Sequence, residues 1–474
     1  MRLAARLALL LLVLTCLQAA AAQNAPATTS PPATAFVDVN VLPMDGEHER
    51  VLHRQTVIVR DGRIAAIGRR LRVPEDARIV DGGGTAWLLP GLADMHNHVD
   101  RTPDLQVQLA NGITTMLNMG EARNSFVGRT RAAVERGEID GPRIFAALAV
   151  DGSPQYGHLV VDDADTARAA ATLARANGYD FIKVYNNLSP TAFAALVAEA
   201  KARDLPIVGH GITAVGLARQ LEAGQAMVAH AEEFFYTFFP APPDDDPNAA
   251  PDPARIADAI AALQRSGAYV VADLVTYRAI AAQWGRPQVV RDWLCAPQSR
   301  WLWPGYRLSW PEQGYARRDG SLQARAAFLA RFIQEMDAAG IPLLSGTDSP
   351  DIPGLVPGFA LQRNLHDLVD AGLSPYRALL TATARPGAFI ARSQPGGAPF
   401  GTVSVGARAD LLLVAADPLQ DLDTLAQPRG VMSAGRWHDA AALQDALQRI
   451  AARYGRALPA PVCGADASMP AGKP

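Results

Sequence analysis

Between residues 87 and 348 the sequence repeats one rhythm: a short apolar run, a polar loop, then an Ala-rich segment of helical period. Strand candidates fall at 87–96, 113–118, 143–149, 180–185, 206–210, 226–230, 268–273 and 342–348. Helical period is clearest at 165–176, 190–203 and 322–339. Eight strands alternating with helices is the count of a (β/α)8 barrel of the TIM type, although spacing alone also allows a doubly wound sheet. What stands at the strand ends decides between the two.

The flanks have a different grain. Residues 35–41, 55–59, 64–67 and 79–80 read as short strands joined by polar turns, including Asp61-Gly62. A second set follows at 401–405, 410–414 and around 431–437. Strands split between the two ends imply one small β-sandwich domain closed around a central insertion. The resulting expectation is a signal peptide at 1–22, a flexible linker at 23–34, and the N-terminal portion of the β-sandwich at 35–86. The barrel then occupies 87–395, the C-terminal portion of the β-sandwich follows at 396–440, and a C-terminal helix and tail take 441–474.

The signal peptide rests on Arg2 and Arg6, the apolar run 7–17, and small residues at Ala20-Ala21-Ala22. That run is too short to span a bilayer, which needs about 20 apolar residues. Cys16 also suits lipid attachment, but Val13-Leu14-Thr15 lacks the small residue preferred before such a cysteine, so a secreted or periplasmic soluble protein is expected. In an oxidising compartment Cys295 and Cys463 could be bridged or could remain separate thiols; sequence leaves both open. A net charge of −3 over 474 residues offers no basic field for nucleic acid. The expected partner is a small-molecule substrate, with no membrane span; a homo-oligomer is left open.

Two segments interrupt the rhythm. Residues 240–253 (PAPPDDDPNAAPDP) suit only a surface loop. Residues 274–321, with Trp301, Trp303 and Trp310, are too long for a simple connection and are expected to fold over the barrel mouth.

The strand ends carry metal-binding chemistry. The apolar run from Leu89 ends in His96-Asn97-His98, and residues two apart on an extended chain face the same side. A bare His-x-His equally suits two solvent-facing histidines. Here, however, Ile207-Val208-Gly209 ends in His210 and Met227-Val228-Ala229 ends in His230, while Asp348 closes the last candidate. Imidazole is a preferred ligand of zinc and other late first-row metals. Four of nine histidines at equivalent positions make a constellation that isolated surface histidines do not.

Lys183 sharpens it. Only three of the 44 basic residues are lysine (Lys183, Lys201, Lys473), so this chain uses arginine wherever a positive charge suffices. Yet the apolar run Phe181-Ile182 leads into Lys183. An unpaired ammonium there is costly, and a buried lysine readily loses its proton. Neutral lysine can add CO2 to give a carbamate, an anionic ligand able to bridge two cations; guanidinium cannot. The competing reading pairs Lys183 with a carboxylate such as Asp180.

These residues together resemble the amidohydrolase superfamily. The resemblance is carried by LLPGLADMHNH, NGITTMLNMG, DFIKVY, IVGH, MVAH and LLSGTDSP, and by GTVSVGARADLLLVAADPL near the C-terminus. It implies that His96 and His98 hold one metal, a carbamylated Lys183 bridges, and His210 and His230 hold the second. It also implies that Asp348 both ligates and serves as the catalytic base. Two divalent cations, zinc being expected, would make water acidic enough to give hydroxide near neutral pH. The implied reaction is hydrolysis of an amide-like C–N bond in a dipeptide or N-acyl amino acid.

The resemblance is strongest to the imidazolonepropionase-like and prolidase-like group. His158, in Tyr156-Gly157-His158, is then a candidate catalytic donor to an oxyanion or to the substrate. Tyr156, Tyr185, Tyr277 and Arg278 are candidate substrate-binding residues. Many relatives carry tyrosine two residues after the fifth-strand histidine; this chain has Ile212. Alternatives on the same fold are a mononuclear aminohydrolase or deaminase, a metal-dependent esterase or lactonase, and a non-catalytic barrel. Relatives of the mononuclear class usually have no lysine ligand on the fourth strand and often carry glutamate where this chain has Thr213.

Overall fold

The computed structural model describes residues 33–120, 122–241 and 246–457. The expected signal peptide, nearly all of the expected linker, the tail beyond residue 457 and Cys463 lie outside the described residues. Cys295 is disulfide-bonded.

The chain opens with β1 (Thr34–Val41), β2 (Leu52–Arg60), β3 (Arg63–Gly68), β4 (Arg78–Asp81) and β5 (Trp87–Pro90). The barrel is built from β6 (Leu92–Asn97), β7 (Ile113–Asn118), β8 (Arg143–Asp151), a short β9 (Leu159–Val160), β10 (Phe181–Val184), β11 (Ile207–Gly209), β12 (Met227–Val228), β13 (Tyr269–Val271) and β14 (Leu343–Leu344). After the barrel come β15 (Leu411–Val414), β16 (Gly430–Ser433) and β17 (Arg436–Asp439).

Eight parallel strands run in the order β6-β7-β8-β10-β11-β12-β13-β14, with β9 attached to β8. Beyond β14 the ring is closed by Met95 N donating to Ser345 O, Thr347 N to His96 O and His98 N to Ser349 O, each at 2.8 Å. This is the TIM-type barrel. Its strands are buried on both faces, which is why they read as continuous apolar runs rather than as alternation. One side chain from each strand fills the interior: Met95, Leu117, Phe145, Phe181, Val208, Met227, Val271 and Leu344 pack in one cluster.

The small domain is one hydrogen-bonded sheet in the order β17-β16-β15-β5-β1-β2-β3, with β4 on β1. Four strand steps separate β17 from β1, which is ~19 Å if the sheet were flat. The rings of Phe36 and Trp437 are nevertheless 5.1 Å apart. The sheet therefore curls onto itself, and the two layers of the sandwich come from a single ladder drawn from both chain ends.

Two expectations need correction. The run 87–96 is not one strand: β5 pairs with β15 in the small sheet, while β6 opens the barrel. Gly91 is the break, where a Cβ would lie 2.2 Å from Thr114 Oγ1, so only glycine fits the crossing between sheets. Residues 401–405 form no strand; they are an irregular lead into β15. The segment around 431–437 is a hairpin, β16 and β17.

The long insertion at 274–321 is helical. Helices Leu274–Gln283, Pro287–Cys295 and Pro304–Ser309 pack beside the barrel mouth. Trp310 is buried and its Nε1 donates to Pro350 O, just beyond Asp348. The C-terminal helix Ala440–Ala457 buries Leu443, Leu447, Ile450 and Tyr454 and braces the insertion, where Trp301 Nε1 donates to Leu447 O. Among the described residues no helix is long and apolar enough to cross a membrane.

Candidate active site

Strand period delivers the site. Phe181, Val208 and Val271 point into the barrel, so Lys183, His210 and Asp273, two residues further along, point the same way at its C-terminal end. Leu344 leads by the same step to Gly346 and then Asp348. On β6 the register slips: Asp94 pairs with Met116, but Asn97 with Asn118, so three residues advance against two. A bulge of this kind re-aims side chains, here at the His96-Asn97-His98 stretch. Asp348 itself sits at φ 54, a conformation uncommon for a non-glycine residue and enriched where function fixes geometry.

The four imidazoles form a chain. Ring centroids are 5.4 Å apart for His98–His96, 4.2 Å for His96–His230 and 5.1 Å for His230–His210. Asp348 Oδ1 lies 3.2 Å from His96 Nε2 and 3.0 Å from His98 Nε2. The donor atoms of His96, His98 and Asp348 are near enough to share one cation, and so are those of His96, His230 and Asp273.

Three of the rings are oriented by a second group. His96 Nδ1 meets Ala229 O at 2.9 Å, His230 Nδ1 meets Asp273 Oδ2 at 2.5 Å, and His210 Nδ1 meets Glu233 Oε1 at 2.7 Å. Fixing one ring nitrogen in this way settles the tautomer and frees the other to ligate. His210 Nε2 is buried with no hydrogen-bond partner among the described residues. A buried, unpaired imidazole nitrogen beside carboxylates has the chemistry of a ligand to a divalent cation, so the donor set fits such ions.

Lys183 is 1% exposed, with its Nζ 5.3 Å from the Tyr185 ring centroid. Room for it depends on Gly209 (φ 129), where a Cβ would strike Val184 O at 2.3 Å and crowd Lys183 Cγ. Its charge disfavours protonation of His96, His98 and His210 alike, so it stands within electrostatic reach of both halves of the cluster. The competing partner is taken: Asp180 accepts from Arg131 Nη1 at 2.8 Å and Ala146 N at 2.9 Å.

Burial is the largest influence on each titrating group here. It drives His96 well below the usual imidazole value and His210 down to about 4. Burial opposes protonation of His230 too, but Asp273 and Asp348 outweigh it and raise this ring to about 10. Asp348 is held well below the usual carboxylate value, since His230, His96 and His98 overcome its burial. Behind the floor, burial pushes Asp94 up to about 7 although Thr347 Oγ1 donates to it at 2.8 Å.

Above the floor is a cavity of about 660 Å³, lined by His98, Lys183, His210, His230 and Asp348 together with Tyr156, His158 and Tyr185. Tyr185 lies between the floor and the wall, 4.0 Å from His210 and 4.5 Å from His158, centroid to centroid. Gln313 and Tyr315 enter from the insertion, which does fold over the mouth. Tyr277 and Arg278 do not line this cavity. Tyr277 is buried against Phe235 behind the wall, and Arg278 is drawn to Asp367 and Asp370.

Sequence reasoning missed four acids: Glu232, Glu233, Asp273 and Asp351. Asp273 ends an expected strand just as the histidines do, so its position alone could have flagged it. Glu232-Glu233 directly follows His230-Ala231. Asp351, 3.6 Å from His98 Nδ1, gave no comparable signal.

The model of the amidohydrolase family matches residues 87–438. An imidazolonepropionase of Ralstonia nicotianae is 37% identical over 108 residues, covering 21% of this chain and 26% of that relative, so only about a quarter of its length is spanned. Among solved structures, the bottromycin amidohydrolase superposes with a TM-score of 0.68 at 22% identity, covering 90% of this chain and 92% of that one. A Xaa-Pro dipeptidase with bound methionine gives 0.64 at 18% identity, covering 86% and 100%.

Proposed function

We propose that this chain, which belongs to the amidohydrolase family, is an exported binuclear hydrolase that cleaves an amide-like C–N bond in a dipeptide or N-acyl amino acid. The observation that carries the reading is the convergence of His98, Lys183, His210, His230 and Asp348 on one cavity floor, with His96 packed directly behind them, 3.2 Å from Asp348 Oδ1, and His210 Nε2 buried and unpaired among the described residues.

His96, His98 and Asp348 would hold one cation, His210 and His230 the other, and carbamylated Lys183 would bridge them. When bound, two such ions, zinc being the expected metal, supply an acidified water and polarise a carbonyl. The chain's own residues do the rest. Asp348 takes the water's proton as the C–O bond forms and returns it to the leaving nitrogen as the C–N bond breaks. Glu233, Asp273 and Ala229 O keep the rings from rotating away. His158, buried beside Tyr185 on the cavity wall, would donate to the developing oxyanion or to the substrate. Thr213 lines the cavity where a mononuclear aminohydrolase would need its glutamate, and Glu233 spends its oxygens on His210 and Gly211 N.

The test is a hydrolysis panel of dipeptides, N-acyl amino acids, lactones and aryl esters, run on zinc-loaded mature protein. Amide cleavage that outpaces ester cleavage is expected; cleavage of esters and lactones alone would move the assignment to an esterase. Export is tested by the N-terminus of protein recovered outside the cytoplasm, expected at Gln23.

A further inference from the structure

The charge of the cavity wall says more about the substrate. Arginine makes up nearly all of the basic residues of the chain, yet no arginine is among the described residues that line the cavity. Its one lysine, Lys183, belongs to the floor. Four acids face the same space: Glu232, Glu233, Asp348 and Asp351. Three of them are engaged. Glu233 serves His210 and Gly211, Asp348 lies between His96 and His98, and Asp351 Oδ1 accepts from Tyr306 OH at 3.0 Å.

Glu232 differs. It is 7% exposed, and its Oε2 is buried without a hydrogen-bond partner among the described residues. It stands two residues beyond His230, at the N-terminal end of the short helix Glu233–Thr237. A buried carboxyl oxygen lacking a hydrogen-bond partner is costly whichever form it takes, and such a group in a native cavity calls for an explanation. A cation on the ligand supplies one.

We infer that Glu232 receives a cationic group of the substrate, an ammonium or guanidinium, so that among amides the enzyme selects those carrying a positive charge. This rests on the hydrolase reading above and narrows it. A dipeptide with a free amino group or a basic side chain fits this wall; an N-acyl amino acid with no cation leaves Glu232 unpaired. A terminal carboxylate would find no guanidinium here, which in this arginine-rich chain is a notable omission.

Matched substrates test it on the zinc-loaded enzyme. Each dipeptide is compared with its N-acetylated form, and lysine-containing dipeptides with their norleucine counterparts. A charge-assisted hydrogen bond predicts a preference of roughly tenfold or more in kcat/KM for the cationic member of at least one series. In Glu232→Gln that ratio falls toward one, while the metal content of the variant stays at the wild-type value. Equal or better cleavage of the uncharged members, or loss of metal in Glu232→Gln, would overturn the assignment of Glu232. Failure to cleave any member would instead count against the hydrolase reading. Calorimetry decides Glu232 separately: n-pentylammonium should bind wild type more tightly than pentan-1-ol, and this difference should vanish in Glu232→Gln. A difference that is absent in wild type, or that survives in the variant, contradicts the inference.

Discussion

At the floor of the cavity and just beneath it, His210, His230 and His96 each have one ring nitrogen held by a carbonyl or carboxylate from elsewhere in the barrel. Along the wall, Gln155, Tyr156, Gln313 and Tyr315 come from loops, and Tyr156 is 44% exposed. The floor is over-determined by strand register, bulge and buried hydrogen bonds. The wall is held by contacts such as Asn187 Nδ2 on Gln155 Oε1 at 3.2 Å and Gln155 Nε2 on Tyr156 OH at 3.1 Å, both on exposed side chains. The floor is built to hold a fixed charge geometry, the wall to meet a ligand. Chemistry should therefore depend on the floor and selectivity on the wall.

The most damaging change should be Asp348→Asn. On the proposed reading it removes the proton carrier and a ligand together, and kcat should fall by on the order of 10²–10⁴-fold. Steady-state kinetics on the best amide substrate checks this; a loss under about tenfold would break the contrast at its strongest point. Next is Lys183→Ala, for which metal content should drop by about one ion per chain, with partial recovery of activity when short carboxylic acids are added. Unchanged occupancy and rate would remove the bridging role.

Asp273→Asn tests the orienting layer of the floor. Loss of an outer partner of a ligating histidine typically costs about 10–100-fold in metal affinity or activity, and titration with a competing chelator reads it. For the wall, Tyr156→Phe should shift KM by less than about tenfold, the range of one ordinary hydrogen bond, with metal content unaltered. A wall variant that lost metal, or a floor variant that changed only KM, would show the division to be wrongly drawn.

The same division marks what sequence can and cannot convey. Strand-end residues are legible because each closes a buried apolar run, so His96, His98, Lys183, His210, His230 and Asp348 can be read as a set; period 2 alone places Lys183, His210 and Asp348, whereas β6 needs its bulge. Asp273 obeys the same rule but escapes notice, because a single aspartate after a strand resembles a turn. The break at Gly91 is hidden since the run from Trp87 to Met95 is largely apolar, and nothing local reveals that two sheets share it. Tyr277 and Arg278 mislead for the opposite reason. They follow β13, but a helix begins at Leu274, where Tyr277 packs on Phe235 behind the wall and Arg278 pairs with Asp367. Glu232 is flagged only by its nearness to His230 in sequence; that its Oε2 is buried without a hydrogen-bond partner among the described residues is visible only in the fold.

The central claim is a floor that holds two cations through these six residues. Metal content per chain tests it most directly, by elemental analysis of purified protein after removal of loosely bound ions. The expected result is about two ions per chain, held by a donor set of four imidazoles, one aspartate and a bridging anion. One ion at most, unchanged when zinc and CO2 are supplied in excess, would contradict it.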